Sequence, residues 1–205
     1  MVTLLLRLTG PMQSWGTTSR FDERDTGLEP SKSGVIGLLC AALGRDRSAP
    51  VDDLARLRMG VRVDREGVLL RDFQTATGVL LARGKKEHER TVVSPRYFLS
   101  DASFLVGLEG DDVALLSSAH AALVSPVWPL FLGRKAFPPG EPIWLPDGLR
   151  DSTLHDALTS YPALGAARMA EECRFIFETD GEGALRMDQP MAPFSERRFG
   201  PRFVR

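Results

Sequence analysis

The sequence has few of the residues that build covalently linked or metal-held scaffolds. Its 205 residues include only two cysteines, Cys40 and Cys173, and three histidines. Two distant cysteines predict no disulfide framework and are typical of a protein in a reducing cytoplasm. The histidines, His88, His120 and His155, have no cysteine or second histidine at ligand spacing. No zinc or other metal site is therefore expected.

Long apolar runs and an excess of charge of one sign are also lacking. No apolar run approaches the roughly 18 residues of a membrane span, and no signal-peptide pattern opens the chain. The formal net charge is −1. A nucleic-acid site would therefore have to be a local basic patch. No nucleophile-elbow or phosphate-loop motif occurs, and no cofactor is expected.

The first part of the chain predicts a core strand followed by a buried helix. Residues 2–9 are dense in Val and Leu, which indicates a central strand. Residues 10–32 read as a long loop. A helix is expected from Ser31 or Ser33 to Leu43, with Gly44 ending it, and its apolar circumference predicts burial against a sheet.

The segment up to residue 125 predicts further strands and a second long helix. Residues 51–58 indicate a short helix, residues 59–75 a hairpin turning at Glu66-Gly67, and two more strands flank Ser100-Asp101. An amphipathic helix follows at 111–125. This order predicts an α+β fold in which an antiparallel sheet carries helices on one face.

The composition changes at Pro126, which divides the chain into predicted domains 1–125 and 126–205. Seven prolines lie between residues 126 and 162. This density excludes a long helix and predicts short strands and turns. Residues 172–179 read as a strand, and the C-terminal tail is basic with interleaved phenylalanines. The second domain is expected to be small, rich in β-structure and packed on the first.

Four stretches combine cations with polar or aromatic residues: 13–20, 32–34, 83–90 and 132–135. Single-stranded RNA is bound in this way, with cations along its backbone and aromatic faces under its bases. Trp15 has two interpretations, either an exposed stacking platform or a side chain folded back over the core edge. The amides of Ser33 and Gly34 either meet an anion or serve close helix–sheet packing.

Five motifs in order carry a family resemblance: "LRLTGPMQSWG", "PSKSGVIGLLCAALG", "LRDFQT", "YFLSDASFLVGL" and "PLFLGRKAFPP". Over residues 4 to about 140 the chain resembles the CRISPR-associated Cas-five family. The resemblance implies a ferredoxin-like (RNA-recognition-motif-like) domain of the repeat-associated RNA-binding superfamily. It also implies a protruding β-hairpin thumb, which maps to about 76–95.

The resemblance further implies a role in cytoplasmic antiviral defence. The chain is most similar to the family members in the type I-E CRISPR complex Cascade, where a different subunit cuts the precursor RNA, so a non-catalytic binding subunit is implied. Family members hold the 5′ handle of the CRISPR RNA, cap the backbone, contact the backbone and large subunits, and meet target DNA only through the complex. The residues implied in RNA binding are Gln13, Trp15, Lys32, Ser33, Gly34, Arg83, Lys85, Lys86, Arg134 and Lys135.

One catalytic alternative stays open. Some relatives cut precursor RNA without a metal, using a general base for the ribose 2′-hydroxyl and a cation for the charged phosphorane. In this sequence Lys86, His88 and Tyr97 could supply such groups. The chain would then be a metal-independent endoribonuclease.

Overall fold

The structure is a computed structural model that describes residues 1–16, 23–80, 90–165 and 173–205. The helices are α1 (Lys32–Leu43), α2 (Asp52–Ala55), α3 (Val113–Val124) and α4 (Leu154–Ser160). The strands are β1 (Val2–Thr9), β2 (Met12–Gln13), β3 (Arg58–Arg65), β4 (Val68–Thr77), β5 (Thr91–Ser100), β6 (Ser103–Gly110), β7 (Trp144–Arg150), β8 (Arg174–Thr179), β9 (Ala184–Pro190) and β10 (Phe199–Val204). None of the helices in the described ranges is long and apolar enough to cross a membrane.

Seven strands form one antiparallel sheet in the order β7-β1-β6-β3-β8-β10-β9. Its first four strands, taken with α1 and α3, follow the connectivity β-α-β-β-α-β. The predicted α+β class with a large antiparallel sheet is confirmed. The helix α1 ends as predicted, because Gly44 adopts the left-handed conformation (φ 70°) and its N–H bonds to the Ala41 carbonyl.

The predicted hairpin at Glu66-Gly67 is wrong, although both of its strands exist. β3 pairs with β6, whereas β4 pairs with β5 in a second sheet of order β2-β5-β4. The four strands therefore form one long ribbon that bends where residues 66–67 lie beside residues 101–102. A Cβ on Gly67 would lie 2.7 Å from the Ser100 carbonyl oxygen, so the two crossing connections are packed tightly. The turn-forming residues at 66–67 and at 101–102 therefore form this bend of the ribbon and do not close a hairpin between β3 and β4.

The ribbon outside the main sheet, β4 with β5, is here named the arm. Its ten paired positions run from Val68 opposite Ser100 to Thr77 opposite Thr91. The thumb predicted at about 76–95 thus overlaps the outer part of a longer paired structure. Residues 81–89 lie outside the described residues.

Side chains of β1 alternate between the two faces of the main sheet. Leu4, Leu6 and Leu8 join the core beneath α1 and α3, as predicted for the helix-bearing face. Leu5 points to the opposite face, where it packs with Leu158 of α4. The short helix α4 was not predicted, and it gives the sheet a second covered face.

The C-terminal part continues the same sheet. The predicted strand at 172–179 corresponds to β8, which pairs with β3, while β9 and β10 were not predicted. One buried ion pair joins this part to the start of α1, and a second lies beside it within the C-terminal part. Lys32 bonds to Glu178 at 2.9 Å, and Arg202 bonds to Asp188 at 2.6 Å. The Asp188 carboxylate also accepts the backbone N–H of Lys32, so the two parts share one network of charges.

Candidate nucleic-acid interface

Three of the predicted RNA-binding stretches meet at one cleft of about 250 Å³. The turn after β1, the start of α1 and the loop before residue 135 supply three sides, and the C-terminal segment supplies the fourth. The lining residues are Ser14, Trp15, Gly16, Arg24, Asp25, Ser31, Ser33, Gly34, Gly133, Arg134, Phe194 and Phe199. This set of residues is here named the arginine cleft.

Trp15 is a structural part of this cleft, and the fully buried Gln13 holds it in place. The Gln13 amide nitrogen donates to the carbonyls of Leu8 and Ala102 at 3.0 and 2.8 Å, and its oxygen accepts the Trp15 indole N–H at 3.2 Å. Trp15 is only 1% exposed and belongs to the hydrophobic core. The arrangement does not support direct RNA contact by either side chain and favours the interpretation of Trp15 as a lid over the core edge.

Gly34 allows this lid to close. A Cβ at Gly34 would lie 2.9 Å from Cε3 of Trp15, closer than real side-chain atoms approach one another. The glycine is thus explained by close packing of the indole on α1. It also exposes backbone at the cleft, because the N–H groups of Ser33 and Gly34 fall in the first turn and have no partner within the helix. Close packing and an anion at the backbone N–H groups are therefore both compatible with glycine at this position.

Lys32 was predicted to bring an ammonium to a phosphate, but its charge is directed away from the cleft. Its Nζ bonds to both carboxylate oxygens of Glu178 at 2.9 and 3.0 Å, and the residue is 1% exposed. Burial lowers the pKa of the Lys32 amine, and the nearby Glu178 carboxylate counteracts part of that effect. The sequence position was right for a helix start, but the side chain is used to join α1 to β8.

Arg134 does line the cleft, and two further arginines that were not predicted lie near it: Arg24, which also lines the cleft, and Arg96, which does not. Its Nη2 donates to the main-chain carbonyls of Arg24 and Asp25 at 3.4 and 3.5 Å. Arg24 forms a parallel β-bridge with Arg96. Burial lowers the pKa of Arg134, and the positive charges of Arg96 and Arg24 lower it further. The Asp25 and Asp72 carboxylates counteract part of this effect. Guanidinium groups stay protonated at neutral pH, so three positive charges lie close together beside these two carboxylates.

A buried donor lies near Arg134 outside the cleft lining. The Nε of Arg96 is buried and makes no hydrogen bond to any residue in the described ranges. Gly133 brings the loop that carries Arg134 against the chain near Trp15. It adopts a φ of 89°, and a Cβ there would lie 1.7 Å from the Ser14 carbonyl oxygen. The loop path thus requires glycine, whereas Lys135 is exposed and does not line the cleft.

Phe194 and Phe199 form the opposite wall, and their ring centroids are 6.3 Å apart. The interleaving of phenylalanines with basic residues in the C-terminal tail was visible in the sequence. No pattern connected that tail with residues 15–34, because the contact depends on β10 returning to the main sheet. Arg24 gave still less signal, since it lies in a loop between the acidic residues Glu23 and Asp25.

Four predicted residues lie outside the described residues: Arg83, Lys85, Lys86 and His88. The third residue of the catalytic alternative, Tyr97, is half-buried in β5. Its backbone N–H donates to the Arg24 carbonyl at 2.8 Å, and its carbonyl accepts from the Ser14 hydroxyl at 3.3 Å. In the described ranges no three metal-ligating side chains come together.

The arm presents a second, apolar surface. Val68, Leu69, Leu70 and Phe73 of β4 are between 44% and 61% exposed. β4 is also the edge strand of its sheet. An exposed apolar edge strand is a surface that proteins usually cover with a partner.

Comparison with known proteins identifies close relatives of this chain. Residues 3–205 match the family model described as "CRISPR-associated protein (Cas_Cas5)". An Escherichia coli (strain K12) protein described as "CRISPR system Cascade subunit CasD" is 36% identical over 184 residues, which cover 82% of this chain and 81% of that protein.

Two solved structures share the fold. One, described as "Crystal structure of Cas protein", is 54% identical, has a TM-score of 0.82, and the match covers 99% of this chain and 92% of that one. The other comes from a "CRISPR RNA-guided surveillance complex" and is 34% identical. Its TM-score is 0.80, with 99% of this chain and 88% of that one covered.

Proposed function

Because the chain belongs to the CRISPR-associated Cas-five family, we propose that it is a subunit of a Cascade-type surveillance complex and binds the 5′ handle of the CRISPR RNA. Membership of such a complex follows from the relative described as a Cascade subunit and from the solved surveillance complex. The second part of the proposal is that the RNA handle binds in the arginine cleft. In this role the chain binds RNA and catalyses no reaction.

The observation that carries the RNA part is that Arg24 and Arg134 line the arginine cleft while the charge of Arg96 lies close to Arg134. Like charges repel, and a folded chain tolerates such a group best when an anion compensates it. The chain as a whole offers RNA no attraction because its net charge is −1. Guanidinium groups are well suited to phosphate because they donate parallel hydrogen bonds.

The start of α1 supports the same ligand. Unpaired backbone N–H groups at a helix N-terminus attract anions, and Ser33 and Gly34 line the cleft beside Trp15. The Asp188 carboxylate accepts the N–H of Lys32 at this helix start, so the N–H groups of Ser33 and Gly34 are the ones left for a phosphate. One phosphodiester of the handle would therefore lie between the helix start and Arg134.

The arm supports the assembly part of the proposal. Its exposed apolar side chains and the unpaired edge of β4 suit a protein partner that adds a strand or packs on the sheet. We assign this partner to the adjacent backbone subunit of the complex. Contact with the large subunit and capping of the backbone belong to the same proposal.

The decisive experiment measures RNA binding by the full chain with a handle RNA from the associated repeat. Arg134→Ala should weaken binding about tenfold, since hydrogen bonds to charged groups contribute about 1.5–3 kcal/mol. The slope of log affinity against log salt should fall by about 0.7, which is one phosphate contact for a single strand. Arg56→Ala, an exposed arginine outside the cleft, is the matched control and should leave both quantities unchanged.

Equal binding and equal salt slopes in the Arg134→Ala chain and the wild type would remove the arginine cleft from the RNA path. The same samples test the catalytic alternative. Cleavage of repeat RNA in EDTA that stops in a His88→Ala chain would replace the binding role by the endoribonuclease. A binding subunit should leave the RNA intact, and His88→Ala should then leave its affinity unchanged.

A further inference from the structure

The aromatic wall of the arginine cleft is built from two phenylalanines with different burial. Phe194 is half-buried and packs against the core cluster, with its Cζ 3.7 Å from where a Cβ on Gly37 of α1 would lie. Phe199 is 39% exposed, although it stands at the start of a strand in the main sheet. Phe194 thus supports the wall from within, while Phe199 offers an open ring to the cleft.

The position of Phe199 is fixed by the backbone around it. The residue pairs with Pro190 of β9 across the sheet. The next residue, Gly200, is closely covered, because a Cβ there would lie 2.8 Å from Cγ of Met191. Phe194 lies on one side of the ring with an interplanar angle of 46°. An aromatic ring that is held in place in this way loses little conformational entropy when it stacks on a ligand.

The two walls offer complementary chemistry across one small space. One wall carries Arg134 and Arg24, and the other carries Phe199. The cleft of about 250 Å³ lies below the size range of pockets for drug-sized ligands and has no room for a duplex. Cations for a phosphate and an aromatic face for a base together match one unit of a single strand, the form of RNA whose bases are accessible.

We propose that the arginine cleft holds one unstacked nucleotide of single-stranded RNA, with its base on the ring of Phe199 and its phosphate at Arg134. This assignment rests on the proposed function, since it requires the RNA to enter this cleft. It gives the C-terminal segment a direct role in binding and transfers the stacking role from the buried Trp15 to Phe199. Recognition by stacking accepts any base, so the subsite sets the path of the strand and does not read its sequence.

The test uses the full chain and repeat-derived handle RNAs in which 2-aminopurine replaces one base at a time. One position should show strongly quenched fluorescence in the complex, because stacking on an aromatic ring quenches this base. Phe199→Leu should relieve the quenching at that position and weaken binding of the natural RNA about tenfold. Phe199→Trp should retain the quenching. Phe203→Leu, on the same strand but outside the cleft, should leave both measurements unchanged.

An abasic nucleotide at the quenched position makes the assignment specific. It should weaken binding to the wild-type chain about as much as Phe199→Leu does, and the two changes combined should cost no more than either alone. Additive losses would show that ring and base do not touch, which would overturn the proposal. Melting temperatures should establish that each variant folds. If Phe199→Leu does not fold, Phe199→Met, which also lacks the aromatic ring, takes its place.

The outcomes distinguish a failure of the nucleotide subsite from a failure of the proposed RNA-binding function. If Arg134→Ala weakens binding while no base is quenched in a Phe199-dependent way, the nucleotide subsite is wrong and the RNA-binding cleft stands. If wild-type chain binds the handle RNA no better than the Arg134→Ala chain does, the proposed RNA path fails and the subsite fails with it.

Discussion

Strands β3 and β4 follow one another with only Glu66 and Gly67 between them, yet their burial is opposite. β3 buries every residue except its first and last, including the charged Arg62 and Asp64. β4 exposes every residue except Gln74, including Val68, Leu69, Leu70 and Phe73. The more polar sequence is inside, and the more apolar one is on the surface.

The difference follows from the neighbours of each strand. β3 has a strand on both sides, β6 and β8, and α4 against one face. The Arg62 guanidinium is satisfied there by Asp64 at 2.6 and 2.9 Å and by three carbonyls of residues 158–162. β4 pairs with β5 alone. A buried charge is tolerated when it is fully paired, and an exposed apolar strand indicates a surface that a partner covers.

The largest effect should come from breaking the buried ion pair of β3. In Asp64→Ala, Arg62 keeps its charge but loses its partner, and the N–H of Leu164 loses its acceptor as well. Both side chains of the pair are fully buried. We expect a loss of about 3–5 kcal/mol in the free energy of unfolding. Asp72→Ala, an exposed carboxylate on β4, should change it by less than about 0.5 kcal/mol. Urea denaturation measures both, and equal losses would contradict the contrast between the strands.

A smaller effect is expected when the same residue type is truncated on each strand. Val61 on β3 is 1% exposed and Val68 on β4 is 61% exposed. Val61→Ala should lower the free energy of unfolding by about 1.5–3 kcal/mol, the usual contribution of a buried aliphatic side chain. Val68→Ala should lower it by less than about 0.5 kcal/mol in the isolated chain. A large loss in Val68→Ala would mean that β4 is buried in solution, for instance by a second copy.

The arm should tolerate change in the isolated chain and respond in the complex. Replacing Leu70 and Phe73 together by serine should change the free energy of unfolding by less than about 1 kcal/mol in total, since both side chains are exposed. Assembly with the other Cascade subunits should be strongly reduced, because the apolar contact that we assign to the backbone subunit is lost. Co-purification from cells that express all subunits measures it. Normal assembly with this double variant would remove the arm from the interface.

The smallest effect concerns the junction between the two strands. Arg174 of β8 donates two hydrogen bonds to Glu66, at 2.9 and 2.8 Å, and these lower the pKa of the Glu66 carboxyl. A lowered carboxyl pKa adds stability above the ordinary glutamate value of about 4.3, and this contribution is lost as the pH falls through the folded value. Glu66→Gln should therefore lower the melting temperature slightly at pH 7 and by less at pH 3. A difference of equal size at both pH values would exclude this ion pair as its cause.

The stretches around Trp15, Ser33 and Arg134, which the sequence predicts to bind RNA, meet at one cleft, and their contacts with RNA stay a prediction. Three features of this region cannot be read from the local sequence. Lys32 bonds to Glu178, the Trp15 indole packs over the core, and Phe199 reaches the cleft from the far end of the chain. Each depends on contacts between residues that are distant in the sequence.

The sequence by itself determined the extent of α1, the existence of most strands, the α+β class and the family. Apolar periodicity, glycine at the helix end and the order of the five motifs act locally, so they can be read without the fold. Only the tertiary structure decided that one ribbon bends at Gly67 into two sheets, that β3 buries charges while β4 exposes leucines, and that arginines and phenylalanines from both ends of the chain share a cleft. Burial and charge compensation are sums over spatial neighbours, and those neighbours are set by which strands pair.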